Sequence, residues 1–450
     1  MKGRRIALGA LACVLAVSAT SSGGLGAAPG SRGPVPREPV RAGPVQRGPV
    51  PGRLVEVWHG RWGGFAFAYD PGTSLVLTAE SSGTVVARDA GTGQVRWRRR
   101  TGADPSILLT PGVAVTEYAL GSPEAVARHG LAALDLVTGR PLWRMSYTRP
   151  FDLATHAVAA GGLVLVGTTA AELTAVDART GRTAWRRPLP PGCAYWGYGI
   201  AADRTTAAAL LLCDRFRFRL VVMDPATGRP LWQRNLESLL RSGPDLRSDL
   251  SIEKSYEPAV LVESGVIAAH GVSALGVFER GGERLLDQDA AGLVCYSRCR
   301  FAVNEDSVVI GYDDLRHMPV MRAVSRHGGA GWYDGRPEEQ PGALVAYGGT
   351  VYTLTSFTAF PSPVRLWGFD PSTGRPLGFF ATSMPSAELL AVTRDRVIIG
   401  TFTRVTAYRT VPVSGPPTRR TRPTARNLAP RSTARNLAPR SVVRNLRARP

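Results

Sequence analysis

Cysteine is scarce in this sequence, and the few cysteines form no pattern that binds a metal. The 450 residues contain five cysteines, of which no two are adjacent and none belongs to a Cys-x-x-Cys pair. This excludes the usual spacing of a zinc site. The histidines lie on six separate stretches, also without metal-ligand spacing: His59, His129, His156, His270, His317 and His327.

The sequence also lacks the short motifs of hydrolases and nucleotide-binding enzymes. It contains no Gly-x-Ser-x-Gly elbow and no glycine-rich phosphate loop. A calcium site needs several converging oxygen ligands, and the only acidic clusters that could contribute are Asn304–Asp306 and Asp313–Asp314. Both fall at predicted hairpin turns, where polar residues are expected in any case. The sequence therefore assigns no catalytic residue and no metal ligand.

Lysine is nearly absent, and acidic residues are missing from one end of the chain. Lys2 and Lys254 are the only lysines among 55 basic residues, and the formal net charge is +20. Residues 1–53 carry eight basic residues and one acid, and residues 411–450 carry ten arginines and no acid. The residues between them carry 37 basic and 34 acidic side chains. The folded part is therefore predicted to be nearly neutral, and the basicity belongs to the two ends.

No apolar run is long enough to span a membrane comfortably. The run Ile6–Val17 follows basic residues and precedes small ones, which predicts an export signal over residues 1–27, cut near Ala19 or near Ala27–Ala28. Cys13 lies inside this run without the aliphatic residue of a lipidation motif, so lipidation is the less favoured alternative. We expect a secreted or cell-envelope-associated protein with no transmembrane span in the mature chain.

The remaining cysteines are predicted to form disulfides in an oxidising compartment. Cys193 and Cys213 flank a predicted hairpin whose turn centres near Asp203, so they can face each other across two strands. Cys295 and Cys299 are close enough in sequence to pair in a local loop. The alternative is that all four are buried thiols.

Two segments outside the folded part have biased compositions. Residues 28–53 repeat Gly-Pro-Val or Glu-Pro-Val about every five residues, which predicts an extended linker. Residues 411–450 contain a nine-residue repeat, Thr424–Ser432, copied identically in Thr433–Ser441. This arginine-rich tail has few apolar residues and is predicted to be disordered. It either binds an acidic polymer or is a repeat expansion with little function.

Residues 54–410 are built from a repeat, Asp-x-x-Thr-Gly-x-x-x-Trp. Four copies are complete, and they run from Asp89 to Trp97, from Asp135 to Trp143, from Asp177 to Trp185 and from Asp224 to Trp232. A fifth copy starts at Asp370 and has Gly378 in place of the tryptophan. Each copy predicts a hairpin: the Asp accepts hydrogen bonds from the turn, the Gly takes a left-handed conformation, and the Trp fills the space between neighbouring sheets.

Two independent counts predict eight repeats. Tryptophans or their equivalents occur at positions 58, 97, 143, 185, 232, 286, 332 and 378, with spacings that suit four-stranded propeller blades. Eight short apolar strands also follow turns, the first at Ser74–Thr78 and the last at Arg396–Ile399. Trp58 has no preceding strand, and Arg404–Tyr408 has no following one. We therefore predict an all-β, eight-bladed β-propeller of four-stranded antiparallel blades, whose ring closes when the N-terminal strand joins the C-terminal half-blade.

The repeat resembles that of the pyrroloquinoline-quinone (PQQ) enzyme-like β-propellers, over essentially residues 54–410. That family includes quinoprotein dehydrogenases, which hold PQQ and a calcium ion on the propeller axis, and non-enzymatic scaffold and sensor proteins. The dehydrogenases have vicinal cysteines beside the quinone, and this sequence has none. The resemblance therefore implies a protein of the non-enzymatic branch without a cofactor, and the alternative is a PQQ- and calcium-dependent dehydrogenase.

The hypothesis for function is a non-catalytic binding or scaffold module. Two segments that interrupt the repeat are candidate contact surfaces. Gly192–Gly199 is rich in aromatic residues and glycine, which suits protein or sugar contact, although an ordinary outer strand would also explain it. The insertion Leu236–Tyr256 lengthens one blade and is predicted to include a short helix. The partner expected from these features is a protein or another component of the cell envelope.

Overall fold

The computed structural model describes most of the predicted repeat domain. It describes residues 52–412 except 64–65, 81, 121–127, 149–156, 169–170, 214–216, 237–258, 271–274, 289–292, 295–299, 315–318, 329–330, 336–338, 358–363, 382–386 and 402. All described residues belong to one compact unit, Gly48–Pro450. The predicted export signal, nearly all of the linker and tail, Cys13, Cys295, Cys299 and the Leu236–Tyr256 insertion after its first residue lie outside the description, so those predictions stay predictions.

Strands are the regular elements of the described residues, and they form eight blades in which successive strands pair antiparallel. Blades 1 and 2 consist of β2 (Phe67–Asp70), β3 (Leu75–Glu80), β4 (Thr84–Asp89) and β5 (Val95–Arg100), then β6 (Ala103–Thr110), β7 (Val113–Leu120), β8 (Arg128–Asp135) and β9 (Pro141–Thr148). Blades 3 and 4 consist of β10 (Val158–Ala160), β11 (Leu163–Thr168), β12 (Glu172–Asp177) and β13 (Thr183–Pro188), then β14 (Cys193–Ala202), β15 (Ala207–Cys213), β16 (Arg217–Met223) and β17 (Pro230–Asn235).

The other half of the ring repeats this plan. Blades 5 and 6 consist of β18 (Ala259–Glu263), β19 (Val266–His270), β20 (Leu275–Glu279) and β21 (Arg284–Gln288), then β22 (Leu293–Val294) with β23 (Arg300–Val303), β24 (Ser307–Asp314), β25 (Pro319–Ser325) and β26 (Tyr333–Gly335). Blades 7 and 8 consist of β27 (Glu339–Tyr347), β28 (Thr350–Phe357), β29 (Arg365–Phe369) and β30 (Pro376–Ala381), then β31 (Glu388–Val392), β32 (Val397–Gly400), β33 (Arg404–Pro412) and β1 (Gly52–Arg61).

The first strand of each blade contacts the first strands of both neighbouring blades, and this series closes from β31 back to β2. The first strands therefore surround the axis, and the fourth strands form the outer edge. Closure also agrees with the predicted split blade, because β1 pairs antiparallel with β33 from Gly52↔Pro412 to Arg61↔Arg404. The predicted eight-bladed, ring-closed propeller is confirmed.

The hydrophobic core is divided into eight clusters, one between each pair of neighbouring blades. The cluster between blades 1 and 2, for example, contains Leu77 and Val85 from one sheet and Ile107 and Ala114 from the next. Each sheet is thus buried on both faces by its neighbours, which explains why its inner strands are continuously apolar.

One sequence interpretation of the axial strands needs correction. Gly192–Gly199 is not an outer strand: all of it except Gly192 belongs to β14, the axial strand of blade 4. Asp313–Asp314 ends β24, and Asp313 pairs with Pro319 of β25, so this cluster lies at the strand end next to the β24–β25 connection.

Candidate functional site

Each intact repeat has a carboxylate that closes its own turn. Asp89 Oδ1 accepts hydrogen bonds from Gly91 N at 3.1 Å, Thr92 N at 2.9 Å and Thr92 Oγ1 at 2.9 Å. The same arrangement recurs at Asp135, Asp177, Asp224 and Asp370. Hydrogen bonds from Thr138 lower the pKa of Asp135, since they stabilise the ionised carboxylate.

At six of the eight junctions between blades, a tryptophan of one blade contacts the turn of the next blade. The indole Nε1 donates a hydrogen bond to the carbonyl oxygen of the residue that follows the next blade's Asp or its equivalent. These pairs are Trp58–Ala90 (2.8 Å), Trp97–Leu136 (2.9 Å), Trp143–Ala178 (2.8 Å), Trp185–Pro225 (2.9 Å), Trp232–Arg280 (2.7 Å) and Trp332–Pro371 (2.8 Å). The structure therefore places the repeated Asp and Trp residues in the seams between blades and does not bring them together in one pocket.

Two seams lack the tryptophan, and each has a different contact. Between blades 5 and 6 the Trp position is Leu286, and Arg326 forms a bidentate ion pair with Glu279, with Nε–Oε1 at 2.7 Å and Nη2–Oε2 at 2.9 Å. This ion pair raises the pKa of Arg326. Between blades 7 and 8 the position is Gly378, and β30 pairs directly with β1 instead. Blade 8 has no turn at this place, because its outer hairpin is split between the two ends of the domain.

An arginine two residues after the tryptophan also crosses the seam, and the sequence interpretation missed it. Arg99 Nε donates to Gly139 O at 2.8 Å, Arg187 Nη2 to Thr227 O at 3.5 Å and Arg234 Nη2 to Gly282 O at 3.3 Å. The sequence contains Trp-x-Arg in three repeats, but in an arginine-rich chain this pattern is hard to distinguish from the overall abundance of arginine.

The Gly192–Gly199 segment forms a wide bulge on the axial strand of blade 4. Tyr195 pairs with Leu211 and Ile200 pairs with Ala209, so four residues, Trp196–Gly199, lie opposite the single residue Leu210. Within the bulge, the backbone of Tyr198 pairs with Ala259 of blade 5. The bulge thus occupies the boundary between two blades near the axis, and bulges of this kind often lie beside binding sites.

A disulfide lies at the base of this bulge. Cys193 and Cys213 are directly opposite each other in the β14–β15 ladder and are joined by a disulfide. The turn of the hairpin, Asp203–Thr206, is held by Asp203 Oδ1, which accepts hydrogen bonds from Thr205 N and Thr206 N. The pairing of Cys295 and Cys299 is not tested by the described residues.

Blade 2 contains a buried polar cluster that the sequence analysis did not identify. Glu117 is 1% exposed and accepts hydrogen bonds from the Tyr147 hydroxyl and from Ala157 N at 3.0 Å, and His129 Nδ1 lies 3.2 Å from its Oε1. Ala157 belongs to blade 3, so the carboxylate connects two blades. No sequence spacing reveals this cluster, since its members lie on three strands and a neighbouring blade.

A second carboxylate that the sequence analysis did not identify is Glu263, the last residue of the axial strand β18. Burial raises the pKa of Glu263 to about 7, although a hydrogen bond from the Val303 backbone lowers it, and the nearby carboxylate of Asp203 raises it further. Asp203 Oδ2 in turn accepts a hydrogen bond from Gly265 N at 2.6 Å. Glu263 is therefore a group that titrates near neutral pH between blades 5 and 6.

The two acidic clusters considered as contributors to a calcium site do not converge. Asn304 Oδ1 caps its own turn by accepting hydrogen bonds from Asp306 N and Ser307 N, and Asp313–Asp314 lies at the other end of β24. An eight-residue strand separates its ends by about 23 Å, so these clusters cannot ligate one ion. Within the described ranges, no group of three or more His, Cys, Asp or Glu side chains is arranged to hold a metal.

Known proteins are similar to this chain in the sequence of part of its repeat region and in the fold of its propeller. A family model for PQQ-like repeats, described as outer membrane protein assembly factor BamB, matches residues 127–195. BamB from Moraxella catarrhalis is similar in structure, with 19% identity, a TM-score of 0.51 and coverage of 79% of this chain and 99% of that chain. No curated protein sequence matches the chain.

Other solved propellers are similar to about the same degree. The quinohemoprotein alcohol dehydrogenase ADHIIG from Pseudomonas putida HK5 has 14% identity and a TM-score of 0.51, with coverage of 81% of this chain and 77% of that chain. The C-terminal WD40 domain of Sif2 has 9% identity and a TM-score of 0.52, with coverage of 79% and 98%. At these identities the structures establish a shared fold. The described part of the chain contains no helix that could cross a membrane.

Proposed function

We propose that this chain, a β-propeller of PQQ-like repeats, is a secreted binding or scaffold module of the cell envelope. The observation that carries the proposal is the extent of the match. The chain accounts for 99% of BamB, whose family description is that of an assembly factor, but for 77% of the quinohemoprotein dehydrogenase. The propeller therefore has the span of the assembly factor, and the additional length of the dehydrogenase has no counterpart in the match.

The axial bulge is the contact surface that we favour. Its backbone places the segment Trp196–Gly199, which is aromatic and glycine-rich in sequence, at the boundary of blades 4 and 5, and a disulfide fixes the base of the bulge. A fixed base lowers the conformational entropy that such a segment loses when it binds a partner. The proposed partner is a protein of the cell envelope.

Photo-crosslinking in the native cells tests this proposal. A photoreactive residue is placed at Ala194, which is exposed at the base of the bulge, and at Ser146, which is exposed on outer strand β9, in two otherwise identical full-length chains. We expect a discrete envelope-protein adduct from position 194 and none from position 146. The same adducts from both positions, or none from either, would contradict a specific surface at the bulge.

A cofactor titration tests the alternative, a PQQ- and calcium-dependent dehydrogenase. The purified full chain is titrated with PQQ in the presence of calcium, and dye reduction is measured with alcohols and sugars. We expect no stoichiometric uptake and no reduction. Stoichiometric uptake with substrate-dependent reduction would overturn the scaffold proposal.

We also propose that the arginine-rich tail, residues 411–450, adds contact with an acidic polymer. It carries ten arginines and no acid. Binding of this kind releases counterions from the polymer, so its affinity falls steeply as the salt concentration rises. Removal of residues 413–450 should lower the affinity for an acidic polymer and reduce its salt dependence. Unchanged affinity would favour repeat expansion without function.

A further inference from the structure

The outer edge of the propeller has an uneven charge. The fourth strands of blades 1 to 4 (β5, β9, β13 and β17, here called the basic arc) carry eight arginines and no Asp or Glu. The described fourth strands of blades 5 to 8 carry three arginines and three acids. One half of the outer edge is therefore strongly positive, and the other half is balanced.

Most of the positive charge on the basic arc is not neutralised by carboxylates. Two of its arginines have acidic partners: Arg96 lies 3.0 Å from Asp89, and Arg186 lies 3.9 Å from Glu172. Three others donate only to neutral carbonyl oxygens across the seams, namely Arg99, Arg187 and Arg234. Arg98, Arg100 and Arg144 are exposed, and the described contacts give them no partner.

The crowding of positive charge is greatest at blade 1. Arg88 is 8% exposed, faces the same side of the sheet as Arg98, and its Nε has no hydrogen-bond partner among the described residues. Burial lowers the pKa of Arg88, Arg98 lowers it further by repulsion, and Glu80 partly opposes this. An anion beside Arg98 would relieve that repulsion.

We infer that the basic arc binds a linear polymer with repeated phosphate groups. Guanidinium groups form bidentate hydrogen bonds with phosphate oxygens, and their spread over four consecutive blades suits a long ligand. A folded protein partner is less suited, since protein interfaces have apolar anchors in their centre. Leu231 is the one large apolar residue of the basic arc that is exposed in the described structure.

This inference goes beyond the proposed function, because polymer binding at the outer edge needs neither the axial bulge nor a protein partner. It also concerns the folded domain and not the tail. The two surfaces can be separated in the full-length chain, because the tail is identical in every variant and a difference in affinity between variants therefore comes from the folded domain.

The test compares two charge-matched variants of the full chain. One carries Arg98→Ala and Arg144→Ala in the basic arc, and the other carries Arg394→Ala and Arg409→Ala, which are exposed positions of blade 8. Binding of long-chain inorganic polyphosphate is measured for both and for the unaltered chain at several salt concentrations. Circular dichroism and thermal unfolding check that the variants remain folded.

We expect the arc variant to bind about tenfold more weakly at 0.1 M salt. Its salt slope should be lowered by about 1.4, because each of the two lost phosphate contacts removes about 0.7 from the slope. The blade 8 variant should bind like the unaltered chain. Equal affinities for all three proteins, or equal losses in both variants, would overturn the inference. The inference would also be overturned if polyglutamate competed for the arc as strongly as polyphosphate does. That result would show that the arc recognises negative charge without preference for phosphate.

Discussion

Single carboxylates in this propeller have opposite effects on its stability as pH changes. Asp135 has a lowered pKa because Thr138 donates hydrogen bonds to its ionised form. Glu263 has a pKa raised to about 7, chiefly because it is buried. The first group therefore stabilises the fold above its unfolded pKa, and that contribution is lost as pH falls. Glu263 lowers the free energy of unfolding as the pH rises from its pKa in the unfolded chain towards 7.

Substitution of Glu263 by Gln should stabilise the protein at pH 8 and leave it unchanged at pH 4. The glutamine has no charge to bury, and it can still accept the hydrogen bond from the Val303 backbone. The gain at pH 8 is on the order of 3 kcal/mol, because burial raises the pKa of this carboxyl from 4.5 to about 7. Urea unfolding at the two pH values measures it. Asp135→Asn is the control with the opposite sign, and a gain for Glu263→Gln at pH 4 would show that charge is not the cause.

Tryptophans at the seams differ in how much their indole hydrogen bond contributes. Trp97 is buried and donates to Leu136 O, whereas the hydrogen bond of Trp232 to Arg280 O is exposed to water. Trp97→Phe should therefore lower the free energy of unfolding by about 1–3 kcal/mol more than Trp232→Phe, because only the first leaves a buried carbonyl without a donor. Chemical denaturation of both variants measures the difference, and equal losses would contradict this account.

At the scale of one hairpin, the turn glycine has two separate reasons to be glycine. Gly139 has a φ of +68°, and an added Cβ would lie 2.6 Å from the ring of Trp97. Gly328, in the decayed repeat of blade 6, has a φ of +79° but nothing within 4 Å of an added Cβ. The pair thus separates backbone strain from contact with the neighbouring blade.

Gly328→Ala should cost about 1 kcal/mol of stability, from the left-handed backbone alone. Gly139→Ala should cost that amount and about 1–3 kcal/mol more, since Trp97 must move out of its seam. Thermal and urea unfolding of the two variants give the comparison. A similar loss of stability at both positions would show that the contact between Trp97 and the turn accommodates an added methyl group.

The arginine that contacts the turn comes from different blades in different seams. In the seam between blades 8 and 1, the residue two after Trp58 is Gly60, and Arg88 from blade 1 occupies that space and donates to Gly93 O at 3.4 Å. In the seam between blades 3 and 4 the arginine is Arg187, and the residue equivalent to Arg88 is Met223. The arginine thus reaches the turn from either side.

A double-mutant cycle tests this arrangement. Gly60→Ala alone should destabilise the protein by about 1 kcal/mol, because its Cβ would lie 2.6 Å from Arg88 Nε. In an Arg88→Met background the same change should cost little, so the two substitutions should be coupled. Additive effects would show that Gly60 and Arg88 do not share the space.

At the scale of the whole molecule, the sequence predicted the architecture but not the polar features within it. The blade count and the split blade follow from local signals, such as the Thr-Gly turn at Gly139 and the unpaired strand around Trp58. The burial of Glu117 and Glu263 depends on side chains of other strands and other blades, so no local pattern indicates it. The segment Gly192–Gly199 was selected by its composition, but the bulge that it forms depends on which residues lie opposite it in β15, and the sequence did not predict it.

The split blade also decides how the protein responds to a mechanical load. Gly52 and Pro412 are partners at one end of the β1–β33 ladder, so the chain enters and leaves the folded domain at the same point. A force that pulls these two ends apart opens the ladder one residue pair at a time, as a zipper opens, instead of shearing all pairs together. Single-molecule stretching should therefore show blade 8 opening first and at low force. A cysteine pair that links β1 to β33 at Leu54 and Thr410 should remove that first event, and an unchanged first event would show that the ring opens at another seam.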